Sequence, residues 1–349
     1  MIPLGIDAAP AGQLCQLADD LFWARFELPF RLNHINLYML DTADGWVLID
    51  TGLNNQATAE HWQMLFTGPL AGRPIAQIIV THHHVDHIGY AGPLAELTGA
   101  PVFASTAEAE HAYWLYDLSP DEFGLVLAKI YSRYGLPAET IEAVRQSGSR
   151  YRRNTAPLPE FRSLETGDEI KTVSGCWRMR TDTGHSDDQI SLIEDNRNLF
   201  LSVDFLLPRI SPNISADIRD PDFDLLSAYF AYLKDMQGLP DDMHIFPGHD
   251  WPFRAGGARA LQLIDHHHQR LDMLAAAARD KPLTVWSAMD VLFGRKFGDH
   301  EMYFAAGEAR AHLTHLAAIG RLQTSKDDTG ADLYETPNRL RQPSSGLVS

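Results

Sequence analysis

Thr81-His82-His83-His84-Val85-Asp86-His87 follows directly on the apolar run Ala76-Gln77-Ile78-Ile79-Val80. A short apolar run of this kind reads as a buried strand, and α/β sheets present their ligands at the C-terminal ends of strands. His82 and His84 stand two apart, so in extended backbone they project to one side, and His83 points away. Asp86 and His87 fall where the chain turns into a helix and can face a second point. Four candidate ligands within six residues therefore supply halves of two metal sites. A catalytic zinc takes about three protein ligands and keeps one position open. The missing ligands must come from loops after later strands. Three residues have that placement: His185 in Thr183-Gly184-His185-Ser186, Asp204 after Phe200-Leu201-Ser202-Val203, and His249 after Ile245-Phe246-Pro247-Gly248. A glycine precedes both histidines and allows close backbone approach. The all-N/O donor set suits zinc, with iron or manganese as alternatives.

Working outward, residues 34–41 and 46–50 read as strands joined by the turn Thr42-Ala43-Asp44-Gly45. Residues 57–67 have helical spacing, with Trp62, Leu65 and Phe66 on one face. A helix over 91–98, a strand at 101–104 and a helix from about 106 continue the alternation, which predicts layered α/β structure. Residues 119–157 read as a helical insertion near the site entrance, ending in Arg150, Arg152 and Arg153. Strands resume around 162–173, 177–182, 189–194 and 199–203. A helix over 222–237 and a strand at 244–246 follow. Beyond Gly256-Gly257, helices at 258–279, 283–293 and 301–319 precede two short strands at 321–324 and 332–336, the outline of a winged helix. The expected organisation is a catalytic domain over 1–256, a winged-helix-like domain over 257–336 and a frayed tail over 337–349.

Composition narrows the function classes. The 349 residues carry 29 basic and 46 acidic side chains, a net charge of −17. Such a surface repels polyanions, so nucleic acid is not an expected partner. Two cysteines, Cys15 and Cys176, make no disulfide framework and suit a reducing cytoplasm. The first residues lack a basic stretch followed by a long apolar run, so no signal peptide is expected, and no window approaches a membrane span. The expected partner is a small-molecule substrate, and a homodimer is left open.

The ordered set Thr-His-His-His-Val-Asp-His, Thr-Gly-His-Ser, strand-terminal Asp204 and Pro-Gly-His resembles the motifs of the metallo-β-lactamase fold hydrolases. Trp46-Val47-Leu48-Ile49-Asp50-Thr51-Gly52-Leu53 is similar to that family's early strand-and-turn motif. The resemblance covers about residues 30–255 and implies an αββα sandwich with metals at one edge between two sheets. It implies that His82, His84 and His185 hold one metal, that Asp86, His87 and His249 hold a second, and that Asp204 bridges them. The segment after 257 resembles the subgroup with a C-terminal winged-helix-like domain, the β-lactamase-like protein 2 type.

Two metals roughly 3.5–4 Å apart share a hydroxide and lower its pKa to near neutrality for attack on carbonyl or phosphorus. Asp86 is the candidate to orient the nucleophile or accept its proton. Asp50 is a candidate to hold a ligand histidine or the Thr81 loop, with a turn-capping role as the alternative. Candidate substrate contacts are Arg152, Arg153 and Asn213, with solvated or turn-forming roles as alternatives. The run His266-His267-His268 reads as a solvated or interdomain face, since consecutive helical residues do not converge on one ion. His312 and His315 read as a surface or domain contact, and His300 as a loop residue. The family includes hydroxyacylglutathione hydrolases, lactonases, β-lactamases and ribonucleases, so the fold does not choose the substrate. Secreted lactamases with this motif usually lack the bridging carboxylate that Asp204 supplies. Diiron redox relatives carry Glu where His84 stands. The leading expectation is hydrolysis of a small ester, thioester or lactone. A metal-dependent endoribonuclease or phosphodiesterase is the alternative, supported by the winged-helix-like tail and opposed by the charge; a β-lactamase or a non-catalytic binding protein ranks below both.

Overall fold

The computed structural model describes residues 1–149, 151–294 and 299–337, the side chains of 299 and 300 excepted. Arg150, the side chain of His300 and all but the first residue of the expected tail lie outside the described residues, and the backbone of His300, read as a loop residue, falls in the helix Asp299–Ala318.

Two seven-stranded sheets form the layers of the sandwich. The first runs β2 (Cys15–Ala18), β3 (Leu21–Glu27), β4 (His34–Thr42), β5 (Gly45–Ile49), β6 (Ile75–Ile79), β7 (Val102–Ala104) and β8 (Phe161–Ser163). Its first four strands pair antiparallel and the rest parallel. The second runs β1 (Ile2–Pro3), β14 (Phe253–Arg254), β13 (His244–Pro247), β12 (Leu199–Val203), β11 (Gln189–Glu194), β10 (Cys176–Asp182) and β9 (Glu169–Lys171). Only β12 and β13 pair parallel there.

The inward faces meet in one core. Leu21, Trp23, Tyr38, Leu40, Val47, Ile49 and Ile79 come from the first sheet, and Trp177, Met179, Ile190, Leu192, Leu201 and Phe246 from the second. Helix Gln56–Thr67 covers the outside of the first sheet. Its buried Trp62 donates its indole N–H to the Thr51 carbonyl at 2.8 Å. This is the αββα sandwich that the sequence predicts.

Several details differ from the sequence reading. The strand region read over 162–173 is two strands, β8 and β9, one in each sheet. The chain crosses at Thr166-Gly167, where Gly167 takes φ +98 and the Asp168 carboxylate accepts from the Glu165 amide. The hairpin β2–β3, the edge strand β1 and its neighbour β14 have no counterpart in the sequence reading. In β3 the buried Leu21, Trp23, Ala24 and Phe26 interrupt the simple alternation by which a strand is recognised.

The chain divides into two compact units. One comprises Met1–Leu118, Ser149–Pro212 and Tyr232–Leu261; the other comprises Ser119–Gly148, Asn213–Ala231 and Gln262–Ser349. The helices Pro120–Arg133 and Ala138–Ser147, which the sequence reading counts within the catalytic domain, thus group with the C-terminal segment. The helices Gly256–Asp280, Val285–Phe293 and Asp299–Ala318 are followed by the antiparallel pair β15 (Gln323–Lys326) and β16 (Asp332–Glu335), in the expected order. His267, His312 and His315 do not form a solvated face. They are buried in this second unit, where the His267 and His312 rings meet at 3.1 Å and His315 lies 3.1 Å from Asp224. An apolar helix packing face, rather than chain position, decides their burial. Among the described residues no helix is long and apolar enough to cross a membrane.

Candidate metal centre

Strand β6 delivers the motif to the edge of the sandwich. Residues 82–84 bend instead of staying extended, and the one-turn helix Val85–Ile88 begins immediately after His84. Despite the bend, His82 Nε2 and His84 Nδ1 converge to 2.9 Å. His185 joins them from the loop after β10, so His82, His84 and His185 can hold one ion. Asp86, His87 and His249 form a second such group, and His82, His87 and Asp204 a third that overlaps both.

Asp204 links the groups. Its Oδ2 lies 3.5 Å from His87 Nε2, 3.6 Å from His185 Nε2 and 3.2 Å from His249 Nε2. Two backbone features aim it. The register slips between Leu201 and Val203, and Val203 takes φ +47, a conformation a β-branched residue avoids. Strain of this kind costs about 1–3 kcal/mol and gathers at functional sites. Gly248 then has to pass close by, since a Cβ there would stand 2.1 Å from Asp204 Oδ1.

The Nδ1 partners settle the imidazole tautomers. His249 Nδ1 lies 2.7 Å from the His34 carbonyl, which only accepts. His87 Nδ1 lies 2.8 Å from Asp50 Oδ2. The Thr81 hydroxyl donates to Asp50 Oδ2 at 2.9 Å, so it accepts from His82 Nδ1 at 3.0 Å. In their neutral form all three rings therefore carry the proton on Nδ1 and leave Nε2 bare toward the centre. Asp50 also accepts the Thr81 amide at 2.8 Å, from a left-handed conformation (φ +65) that Asp tolerates. Both candidate roles for Asp50, gripping a ligand histidine and holding the Thr81 loop, are filled by one carboxylate. Strand β4 braces the His249 loop from the other side. Asn36 and Tyr38 donate to the Pro247 carbonyl at 2.9 and 2.7 Å, and the Asn36 amide donates to the Gly248 carbonyl at 2.7 Å. Nothing in the sequence reading points to Asn36, Tyr38 or His34, because their parts depend on a strand distant in sequence.

Burial, reinforced by the neighbouring imidazoles, holds His82 and His84 well below the ordinary histidine range. Burial opposes protonation of His87 as well, yet Asp50, Asp204 and Asp86 outweigh it and raise His87 well above that range. Burial likewise opposes the charge on Asp204, but His249 and His87 hold it well below the carboxylate range. The ionised Asp204 beside His82 and His84, which burial keeps neutral, is a donor set for a divalent cation, and the raised His87 and His249 give up a proton to join it. The buried His87 Nε2 and Asp204 Oδ1 have no hydrogen-bond partner within the protein, as befits atoms directed at a metal.

Arg152 and Arg153 are exposed, and the Arg152 guanidinium sits 5.1 Å over the Tyr116 ring. Asn213 opens a segment of the other compact unit. His83 turns away from the cluster, as the sequence predicts.

This fold and constellation define a metal-dependent hydrolase. Residues 31–249 match the metallo-beta-lactamase superfamily and residues 271–337 its metallo-beta-lactamase-like C-terminal domain, so the chain belongs to the metallo-β-lactamase superfamily. It is similar to "Probable metallo-hydrolase YqjP" of Bacillus subtilis, 25% identical over 86% of this chain and 93% of that one. The hydroxyacylglutathione hydrolase of Pseudomonas aeruginosa is 27% identical over 52% of this chain and 65% of its own length. Among solved structures, a beta-lactamase domain protein from Burkholderia ambifaria superposes with a TM-score of 0.88 at 31% identity, covering 96% of this chain and 98% of that one. A metallo-beta-lactamase family protein from Thermus thermophilus gives 0.77 at 26% identity, covering 92% and 100%.

Proposed function

We propose that the chain is a dinuclear, zinc-dependent hydrolase of a small acyl substrate: an ester, a thioester or a lactone. One observation carries the reading. Asp204 Oδ2 stands within 3.2–3.6 Å of Nε2 atoms from both ligand groups, as a carboxylate shared by two ions requires. His82, His84 and His185 would hold the first ion, Asp86, His87 and His249 the second, and Asp204 both. Bound divalent ions supply Lewis acidity and bring the pKa of a water to near neutrality.

The protein's own groups do the rest. The bare Nε2 atoms of His82, His87 and His249 are held in place by their Nδ1 partners, so no reorganisation is needed when charge develops. Asp86 keeps 18% of its side chain exposed, against 7% for Asp204. It is therefore the carboxylate placed to take the proton from the attacking water. Attack on the acyl carbon breaks the C–O or C–S bond, and the proton passes to the departing alkoxide or thiolate. Similarity to a hydroxyacylglutathione hydrolase, named for an acyl thioester, supports a thioester as the first substrate to try. The net charge of −17 disfavours RNA. The two free cysteines suit a cytoplasmic setting.

The test is a panel of aryl esters, acyl thioesters and lactones, run alongside metal analysis. We expect two zinc ions per chain, turnover of at least one acyl class, and loss of that turnover with chelator. No turnover across the panel, together with metal-dependent RNA cleavage, would refute the reading.

A further inference from the structure

Glu108 lies in the first turn of helix Thr106–Asp117 and is 1% exposed. With Ser105 as N-cap, it stands where a capping-box glutamate reaches back to the cap, as Glu122 does to Ser119 in helix Pro120–Arg133. Glu108 is directed elsewhere. Its Oε2 accepts from the His83 amide at 2.9 Å and from His83 Nδ1 at 2.6 Å. Its Oε1 accepts from the Asp188 amide at 2.9 Å. One buried carboxylate therefore ties the loop bearing His82 and His84 to the loop bearing His185. The His83 ring packs between this carboxylate and the His111 ring, which stacks on it at 3.8 Å, and His111 Nδ1 reaches Asp187 at 3.1 Å, again on the His185 loop. The three ligands assigned to the second ion alone are secured differently: His87 by Asp50, His249 by the His34 carbonyl, and Asp86 by the one-turn helix it shares with His87.

We infer that Glu108 is a positioning residue for the His82–His84–His185 site alone, with His83 as the handle by which it grips the motif. The inference rests on the two-ion reading above but not on any substrate. Three ligands from two loops hold an ion tightly only when the loops keep a fixed separation, and partners behind ligands weigh about 10–100-fold in metal affinity. His83 points away from the metals, and that direction is what makes it available to Glu108.

The test uses Glu108→Gln, which keeps the side-chain volume but removes the charge and can accept on one side only, placing an NH2 against a donor on the other. Zinc and cobalt titrations of the full chain should show one site weakened by about 10–100-fold and the other unchanged. In metal-free protein, the His83 or Asp188 amide should exchange with deuterium faster than in wild type. A residue that merely fills space would leave Glu108→Gln like wild type in both measurements, which would overturn the inference. Uniform weakening of both sites would overturn it too. Should Glu108→Gln not fold, His83→Phe removes the ring-to-carboxylate bond and keeps the ring; weakening confined to one site upholds the inference, and normal loading of both refutes it. Failure of the acyl-hydrolase reading is separate: wild type would then bind two ions and turn over no acyl substrate.

Discussion

Replacing Asp50 by asparagine sets tautomer control against simple stability. Asp50 Oδ2 receives both His87 Nδ1 and the Thr81 hydroxyl, while Oδ1 receives the Thr81 amide. An asparagine that keeps its oxygen on the Thr81 amide turns an NH2 toward two donors. Thr81 can rotate its hydroxyl. His87 can respond only by moving its proton to Nε2, the atom that faces Asp204 at 3.5 Å, and a protonated Nε2 cannot ligate. Loss of such a partner lowers metal affinity about 10–100-fold, or about 1.4–2.7 kcal/mol. Asp50→Ala leaves room for a water that accepts from Nδ1, so its affinity should fall less. Stability should rank the other way, because at φ +65 asparagine is tolerated and alanine costs about 1 kcal/mol. The assay is zinc competition against a chromophoric chelator, with thermal unfolding of the metal-free proteins alongside. An asparagine variant that binds zinc like wild type, or affinities that simply follow stability, would refute the tautomer argument.

Three further outcomes are expected. Gly248→Ala puts a methyl 2.1 Å from Asp204 Oδ1 and 3.3 Å from His87 Cε1, so the carboxylate must move. Activity should fall about 100-fold with the fold intact by circular dichroism. His84→Ala should lose both metal and turnover; full activity in that variant would remove the basis of the site assignment. In the second unit, burial and the adjacent imidazole push His267 down to about 2, and burial pushes His312 down to about 3. Both are neutral when folded but take up protons when unfolded below about pH 6.5, so stability is full above that pH and is lost as pH falls toward 3. The slope should reach about 2.7 kcal/mol per pH unit for the pair. Urea melts between pH 7 and 4.5 measure it, and a His312→Gln variant should show about half the slope.

The seven candidate ligand positions were legible because metal coordination restricts donors to a few residue types, placed at the ends of strands that apolar runs reveal. His82, His84, Asp86 and His87 rest on local spacing alone, and Asp50 on its place at the end of β5. Long periodic elements were legible for the same reason: a helix such as Gly256–Asp280 repeats its signal over many turns. Short elements were not. β1 and β14 have two residues each, and β8 and β9 were divided between sheets by a turn inside what reads as one strand region.

The tertiary structure alone decided what stands behind the ligands. Glu108 lies 25 residues from His83 and 80 from Asp188, and the His34 carbonyl lies 215 from His249. No periodicity links such pairs, because the bonds form only when the sheets bring distant loops together. The choice between a solvated and a contact face for His267 and His312 stayed open for a related reason, since burial depends on the partner face rather than on the residue. Sequence by itself determined which atoms can bind metal. Packing determined which of their nitrogens are bare, how far apart their loops are held, and that a single oxygen of Asp204 reaches both groups.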